Sequence, residues 1–158
     1  NHPEDIIPMC LEAGADIISF HPETANNKIF RLLNQIKDAG KKCGVVLNPA
    51  TPAESIAEYA HLLDKVTVMS VDPGYAGQKF IPESLNKIRK LINMRKNNGY
   101  HYLTEIDGSC NEKTFGQIAE SGVDVFIVGT SGLFSLHEDV SQAWDRMIEI
   151  FQRETVAA

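Results

Sequence analysis

Short β-branched or apolar runs alternate with longer amphipathic stretches from one end of the chain to the other, a pattern that predicts an α/β fold with a parallel sheet. Five runs read as strands: Asp16–Phe20 (DIISF), Cys43–Leu47 (CGVVL), Val66–Val71 (VTVMSV), Tyr102–Ile106 (YLTEI) and Val123–Val128 (VDVFIV). Most are near-continuously hydrophobic, as expected of strands covered on both faces. Helices are predicted at about Pro3–Ala13, Ala25–Ala39, Pro52–Leu63, Pro82–Asn97, Asn111–Ser121 and Glu138–Arg153. Pro52 and Pro82 fall near first helical turns, where a missing N–H costs nothing, and Gly14, Gly40, Gly99 and Gly122 stand where helices stop. No linker, charge block or low-complexity tract interrupts the alternation, so one domain is expected without an internal boundary. The phrases AGAD (Ala13–Asp16) and SGVD (Ser121–Asp124) repeat a helix-stop-then-strand signal.

In parallel sheets of this kind ligands bind at the carboxyl ends of the strands. The residues just past the runs are His21-Pro22-Glu23-Thr24, Asn48-Pro49, Asp72-Pro73-Gly74-Tyr75-Ala76-Gly77-Gln78, Asp107-Gly108-Ser109 and Gly129-Thr130-Ser131-Gly132. All are polar or glycine-rich, so the chemistry is expected on this one face. Three of the ends set glycines beside hydroxyl or amide side chains. Successive backbone N–H groups in such loops, aided by helix N-termini behind them, make a cradle for an anion such as phosphate. Taken singly, each glycine has a plainer use as a turn residue. None of the loops is a Walker A sequence or a G-x-G-x-x-G, so no nucleotide cofactor is indicated.

Asp107 ends a strand beside a glycine and is expected to point into the cleft mouth, where a carboxylate ligates a divalent metal or moves a proton. The plainer alternative is a cap for a helix starting near Asn111. Asp72, before Pro73, reads as a turn residue. His21 is either a ligand contact or a hydrogen-bonded structural residue. Met69 is expected to pack, and Cys110 lacks a histidine partner that would make it a nucleophile.

Composition narrows the field further. The chain has 158 residues, 43% of them hydrophobic and 23% charged, which suits a globular domain and excludes disordered and collagen-like classes. Fifteen basic against twenty-one acidic residues give a net charge of −6, which argues against a nucleic-acid partner. No apolar run is long enough to span a membrane, and Asn1–Ile7 lacks the pattern of a signal peptide. Three widely spaced cysteines, Cys10, Cys43 and Cys110, read as free thiols, and the expected location is the cytoplasm.

The segments VTVMSVDPGYAGQKFIPESLNKI (Val66–Ile88), EIDGSCN (Glu105–Asn111) and VDVFIVGTSGLF (Val123–Phe134) together resemble the ribulose-phosphate 3-epimerase family, and the resemblance runs over essentially the whole chain. The variants HPET, GYAG, DGSCN and VGTSGLF are most similar to its D-allulose-6-phosphate 3-epimerase branch. Pentulose-phosphate enzymes usually show G-F-G-G, D-G-G and A-G-S at the last three of these places. The resemblance implies a phosphate-binding (β/α)8 barrel of the TIM type that inverts C3 of a ketose phosphate, with a divalent metal (zinc, cobalt, manganese or iron) and a homo-oligomeric state. It also implies that Asp107 is a metal ligand and one of two proton-transfer acids. Gly74, Tyr75, Ala76 and Gly77, Gly108 with Ser109, and Gly129, Thr130 and Ser131 stand where the family holds substrate phosphate. The runner-up substrate is ribulose 5-phosphate, and a runner-up of another class is a non-catalytic phosphate-binding half-barrel.

Five strands are fewer than the eight of such a barrel. The family's strand-end serine, H-x-D pair and second histidine have no match, and the segment His21–Thr24 is not that pair and lies on another strand. The expectation is therefore about the last five βα units of a longer barrel. Alone, these would leave two unpaired edges, self-associate and lack turnover.

Overall fold

The computed structural model of the chain describes residues 2–75 and 77–156. Five strands, β1 (Ile17–Phe20), β2 (Lys42–Leu47), β3 (Lys65–Met69), β4 (Leu103–Asp107) and β5 (Val125–Ile127), pair in chain order, every pair parallel. The helices are α1 (Pro3–Glu12), α2 (Ile29–Asp38), α3 (Glu83–Asn98), α4 (Phe115–Ala119) and α5 (Val140–Val156). An order without reversal has no switch point. Right-handed crossovers then place successive helices on the same face of the sheet, which curls as part of a β/α barrel.

The two faces differ accordingly. Ile18, Phe20, Cys43, Val45, Leu47, Val66, Val68 and Ile106 are buried under the helices. On the other, inner face Ile17, Leu103 and Ile127 are 45%, 48% and 36% exposed. The strands are thus covered on one face among the described residues, not on both. The inner face also carries an ion pair: Lys65 Nζ lies 2.8 Å from Glu105 Oε1, and the Thr67 hydroxyl donates to the same oxygen at 2.7 Å. The sheet edges are β1 and β5.

Three predicted helices are altered, each for a local reason. Residues Pro52–Leu63 form two short 3-10 turns, Ala53–Ile56 and Ala60–Leu62. The segment's backbone bonds run from residue i+3 back to i, as in Ser55 N–H to Pro52 O, Tyr59 N–H to Ile56 O and Leu62 N–H to Tyr59 O, which is the 3-10 pattern. The predicted Ala25 start moves to Ile29 because Asn26 and Asn27 adopt φ of 47° and 63°, outside the helical region. The predicted Asn111–Ser121 helix shrinks to α4. Residues 109–114 close on themselves instead, the Thr114 hydroxyl donating to Ser109 O at 2.7 Å and accepting from Asn111 N–H at 3.0 Å.

α3 ends as its sequence predicts, on Gly99 at φ 66°, whose N–H donates to Arg95 O. Arg95 itself donates to Asp124 Oδ2 at 2.6 Å, and Asp124 accepts from the Thr104 N–H and hydroxyl, both at 2.7 Å, tying α3 to the start of β4 and the approach to β5. Phe115, Phe126 and Phe151 meet edge to face with centroids 5.1–6.2 Å apart, docking α4 and α5 against β5. Among the described residues no helix is long and apolar enough to cross a membrane.

Candidate functional site

The sheet register sets one row of side chains at the carboxyl end of the inner face. Met69 pairs with Asp107, and Asp107 with Ile127. Asp107 is the last residue of β4 and stands two residues after the inner-face Glu105, so its carboxylate is on the same inner face. Above this row the segments following β3, β4 and β5 enclose a cleft of about 560 Å³. Gly74, Tyr75 and Gly77 line it from the first segment, Asp107, Gly108 and Ser109 from the second, and Gly129, Thr130 and Ser131 from the third. The residues that the resemblance assigns to the site are therefore in one place, except Ala76, which lies outside the described residues, while His21, the other candidate contact, stands apart at the end of β1.

Side chains lock the three segments together. The Ser109 hydroxyl donates to Gln78 O at 2.5 Å, joining the second to the first, and Asn111 Nδ2 donates to Ser131 Oγ at 3.1 Å, joining the second to the third. Ser109 does this from φ 50°, a left-handed conformation that the preceding Gly108, at φ 116°, makes reachable in so tight a turn. Ser70, fully buried, donates to Asp107 O and Gly108 O at 2.9 and 2.5 Å, and Gln78 Nε2 donates to Asp72 O and Tyr75 O at 2.5 and 3.0 Å. The sequence pattern does not mark the bracing roles of Ser70, Gln78 and Asn111: Ser70 falls inside the Val66–Val71 run, and Gln78 and Asn111 stand in loops whose partners lie in other loops. Helix N-termini contribute less than the sequence suggested: α3 begins only at Glu83, and α4 and the π-type turn Thr130–Phe134 are single short turns. The cleft is lined by loop residues rather than by helix N-termini.

Burial, with the Glu105 charge second, raises the Asp107 carboxyl above its ordinary range, against an opposing hydrogen bond from the Gly108 N–H. The alternative use of Asp107 as a helix cap is not realised, because α4 starts at Phe115 with Thr114 at the cap position. Asp72 is exposed and enters the site's hydrogen bonding through its carbonyl, as a turn residue. Cys110 is buried and its thiol is pushed up to about 12, chiefly by burial, which removes the thiolate a nucleophile needs.

At the ends of β1 and β2 lies a second polar group. Asn48 Nδ2 donates to Glu23 Oε1 at 3.3 Å, the Thr51 hydroxyl donates to the same oxygen, and the buried Lys87 ammonium donates to Asn48 O and Pro49 O at 2.6 and 2.9 Å. Burial raises the Glu23 carboxyl, but the Thr51 and Asn48 hydrogen bonds and its own N–H outweigh it, and the group lies below its ordinary range. His21 stands beside this group with Nδ1 buried and unpartnered.

A divalent metal needs several ligands, four to eight depending on the ion. Among the described residues no three His, Cys, Asp or Glu side chains are gathered to hold one, and Asp107 offers a single carboxylate. These residues by themselves do not fit a metal.

The sequence model of the ribulose-phosphate 3 epimerase family matches residues 1–134. The ribulose-phosphate 3-epimerase of Aquifex aeolicus (strain VF5) is 42% identical over 141 residues, covering 89% of this chain and 63% of the relative. That of Escherichia coli (strain K12) is 40% identical over 126 residues, covering 80% of this chain and 56% of the relative. The chain thus spans between 56% and 63% of the length of these two curated relatives. Among solved structures, a 3-hexulose-6-phosphate synthase superposes with a TM-score of 0.66 at 14% identity, over 98% of this chain and 69% of that one. A mutant tryptophan synthase alpha-subunit from Pyrococcus furiosus gives 0.64 at 13% identity, over 95% and 59%. At such identities the structural likeness speaks for the fold alone.

Proposed function

The chain belongs to the ribulose-phosphate 3-epimerase family, and from that premise we propose that it forms the phosphate-gripping wall of a barrel that epimerises C3 of D-allulose 6-phosphate in the cytoplasm. The observation that carries this reading is the shared cleft: one raised carboxyl, Asp107, at the foot of three cross-linked, glycine-bearing loops. Phosphate held in the loops fixes the sugar remote from the reacting carbon, so that binding energy is spent on orientation. Asp107 takes the C3 proton, the C3–H electron pair becomes the C2–C3 double bond as the carbonyl π pair moves onto the C2 oxygen to give an enediolate, and a proton returns to C3 from the opposite face as the carbonyl reforms. Inversion therefore needs a second acid on an opposing wall. Five strands with edges at β1 and β5 make one wall only, and the rest of the barrel is assigned to strands that pair with those edges.

The hexulose substrate is supported by GYAG, DGSCN and VGTSGLF in place of the pentulose pattern. Where D-G-G would put a second glycine, Ser109 holds a left-handed turn and spends its hydroxyl on Gln78. Ribulose 5-phosphate is the second reading, favoured by the names of the relatives at 40–42% identity.

The test joins this chain to the part of the Escherichia coli relative that it does not span. The hybrid is offered each ketose phosphate in D2O, with deuterium entry at C3 followed by NMR. The expected result is exchange and turnover, faster on the hexulose, with the chain alone giving neither. A folded hybrid inert on both sugars overturns the proposal.

A further inference from the structure

Among the described residues, three buried side-chain atoms lack a hydrogen-bond partner: Ser19 Oγ, His21 Nδ1 and Asn48 Oδ1. All three belong to the ends of two adjacent strands, β1 and β2, outside the cleft that holds Asp107. A buried polar atom left unpaired costs more than a made hydrogen bond returns, so such atoms in one corner point to a ligand that completes them.

The register gives their level. Leu47 pairs with Val68 and Met69 with Asp107, so Asn48, one step past Leu47, stands in the row of Met69 and Asp107. It is two strands from Asp107, roughly 10 Å away, a gap that a bound sugar with a contact at either end covers. Phe20 pairs with Val45, and extended backbone continues through His21, which puts His21 in the row beneath, beside Val46. Ser19 lies deeper, over Gly44, where a Cβ would come within 2.5 Å of its Oγ.

The Asn48 amide is also held in one orientation. Its NH2 is committed to the Glu23 carboxylate, which the Thr51 hydroxyl fixes, and Lys87 pins its main chain. The free end is therefore the carbonyl oxygen, an acceptor. A sugar hydroxyl donates to an amide oxygen and pairs with an imidazole nitrogen in either tautomer. We propose that Asn48, with His21 beneath it, binds hydroxyls at the sugar end of the substrate, opposite the phosphate grip, and sets which ketose lies in register with Asp107. The proposal rests on the reading that the cleft takes a ketose phosphate.

Calorimetry with inorganic phosphate, D-allulose 6-phosphate and D-ribulose 5-phosphate, on the unaltered chain and on Asn48→Ala and His21→Ala, tests it. The unaltered chain is expected to hold a ketose phosphate more tightly than inorganic phosphate. Each variant should lose about five- to tenfold of that advantage while keeping its affinity for inorganic phosphate. Variants that bind both sugars as the unaltered chain does overturn the proposal, as does a chain that binds sugar phosphates no better than phosphate. A misfolded variant is bypassed by imidazole 15N NMR of the unaltered chain: the His21 Nδ1 resonance should move with ketose phosphate and not with phosphate, and a stationary signal refutes the assignment. Sugar-specific binding without C3 exchange in the hybrid would refute the epimerase reading and leave this wall standing. Loss of the sugar increment with exchange retained would do the reverse.

Discussion

Two glycines in the segment after β5 separate the construction of the proposed phosphate cradle from its use. Gly132 is buried, and a Cβ built on it would lie 2.0 Å from the Cys110 carbonyl oxygen and 3.2 Å from its carbon. Ordinary heavy-atom contact is about 3.5 Å, so Gly132→Ala must push the segments after β4 and β5 apart by roughly 1–1.5 Å. The Asn111–Ser131 hydrogen bond, already 3.1 Å long, spans that seam and would be lost. Overpacking of this kind costs about 1–3 kcal/mol, a drop in melting temperature of roughly 2–12 °C for a chain of this size. A displacement near 1 Å at a binding site can cost on the order of a hundredfold in turnover. Gly129 is the control. Nothing lies within 4 Å of a Cβ there, yet the residue lines the cleft. Gly129→Ala should therefore leave stability unchanged within about 0.5 kcal/mol while weakening phosphate binding, because the new methyl occupies ligand space. Thermal and urea denaturation followed by circular dichroism, paired with phosphate calorimetry, reads both quantities. Equal destabilisation by the two variants, or a Gly132→Ala chain as stable and as tight-binding as the unaltered one, would refute the reasoning.

Further outcomes follow from single groups. In the hybrid barrel, Asp107→Asn should slow C3 deuterium exchange by about 10²–10⁴-fold with an unchanged far-ultraviolet spectrum; exchange at the original rate removes Asp107 from proton transfer. Burial raises the Asp124 carboxyl, but the Arg95 hydrogen bond, those from Thr104 and the Arg95 charge outweigh it and hold the group below its ordinary range. A lowered folded value means that its stabilisation is complete above the unfolded value of about 3.9 and drains as the pH falls through the folded one. Asp124→Asn should accordingly lower the urea midpoint at neutral pH and flatten its acid limb below about pH 4, whereas a parallel-shifted curve would show that the charge is immaterial. Burial pushes the Cys43 and Cys110 thiols up to about 11 and about 12, so a disulfide reagent at pH 8 should titrate the half-buried Cys10 alone until denaturant is added; rapid modification of all three would contradict the packing.

The strands and the face that carries the chemistry were legible because both follow from local pattern. An apolar run closed by a polar, glycine-rich loop marks a strand end wherever it occurs, and β1 to β5 fall within two residues of their expected limits. The 3-10 turns after β2 are not legible in the sequence because the buried positions Ala53, Ile56, Ala60 and Leu63 keep the α-helical spacing, and only the backbone bonds show the tighter winding. The start of α2 was missed because asparagine tolerates positive φ without requiring it, so Asn26 and Asn27 gave no advance sign. At the site, glycine and hydroxyl residues announced the cradle, while the residues that brace it did not. Gln78 and Asn111 look like ordinary loop polars until the register brings Ser109 and Ser131 beside them. The same holds for Asn48. Nothing in Asn48-Pro49 distinguishes it from a turn, and its interest arises only because the pairing of β2 with β3 lifts it into the row of Asp107 and Glu23 turns its amide oxygen free. Local sequence therefore suffices to nominate groups for the proposed phosphate site, since one loop can offer N–H donors by itself. The groups that would read the sugar are specified by sheet register, a property of two strands at once, and the variants that test them must be chosen from the fold.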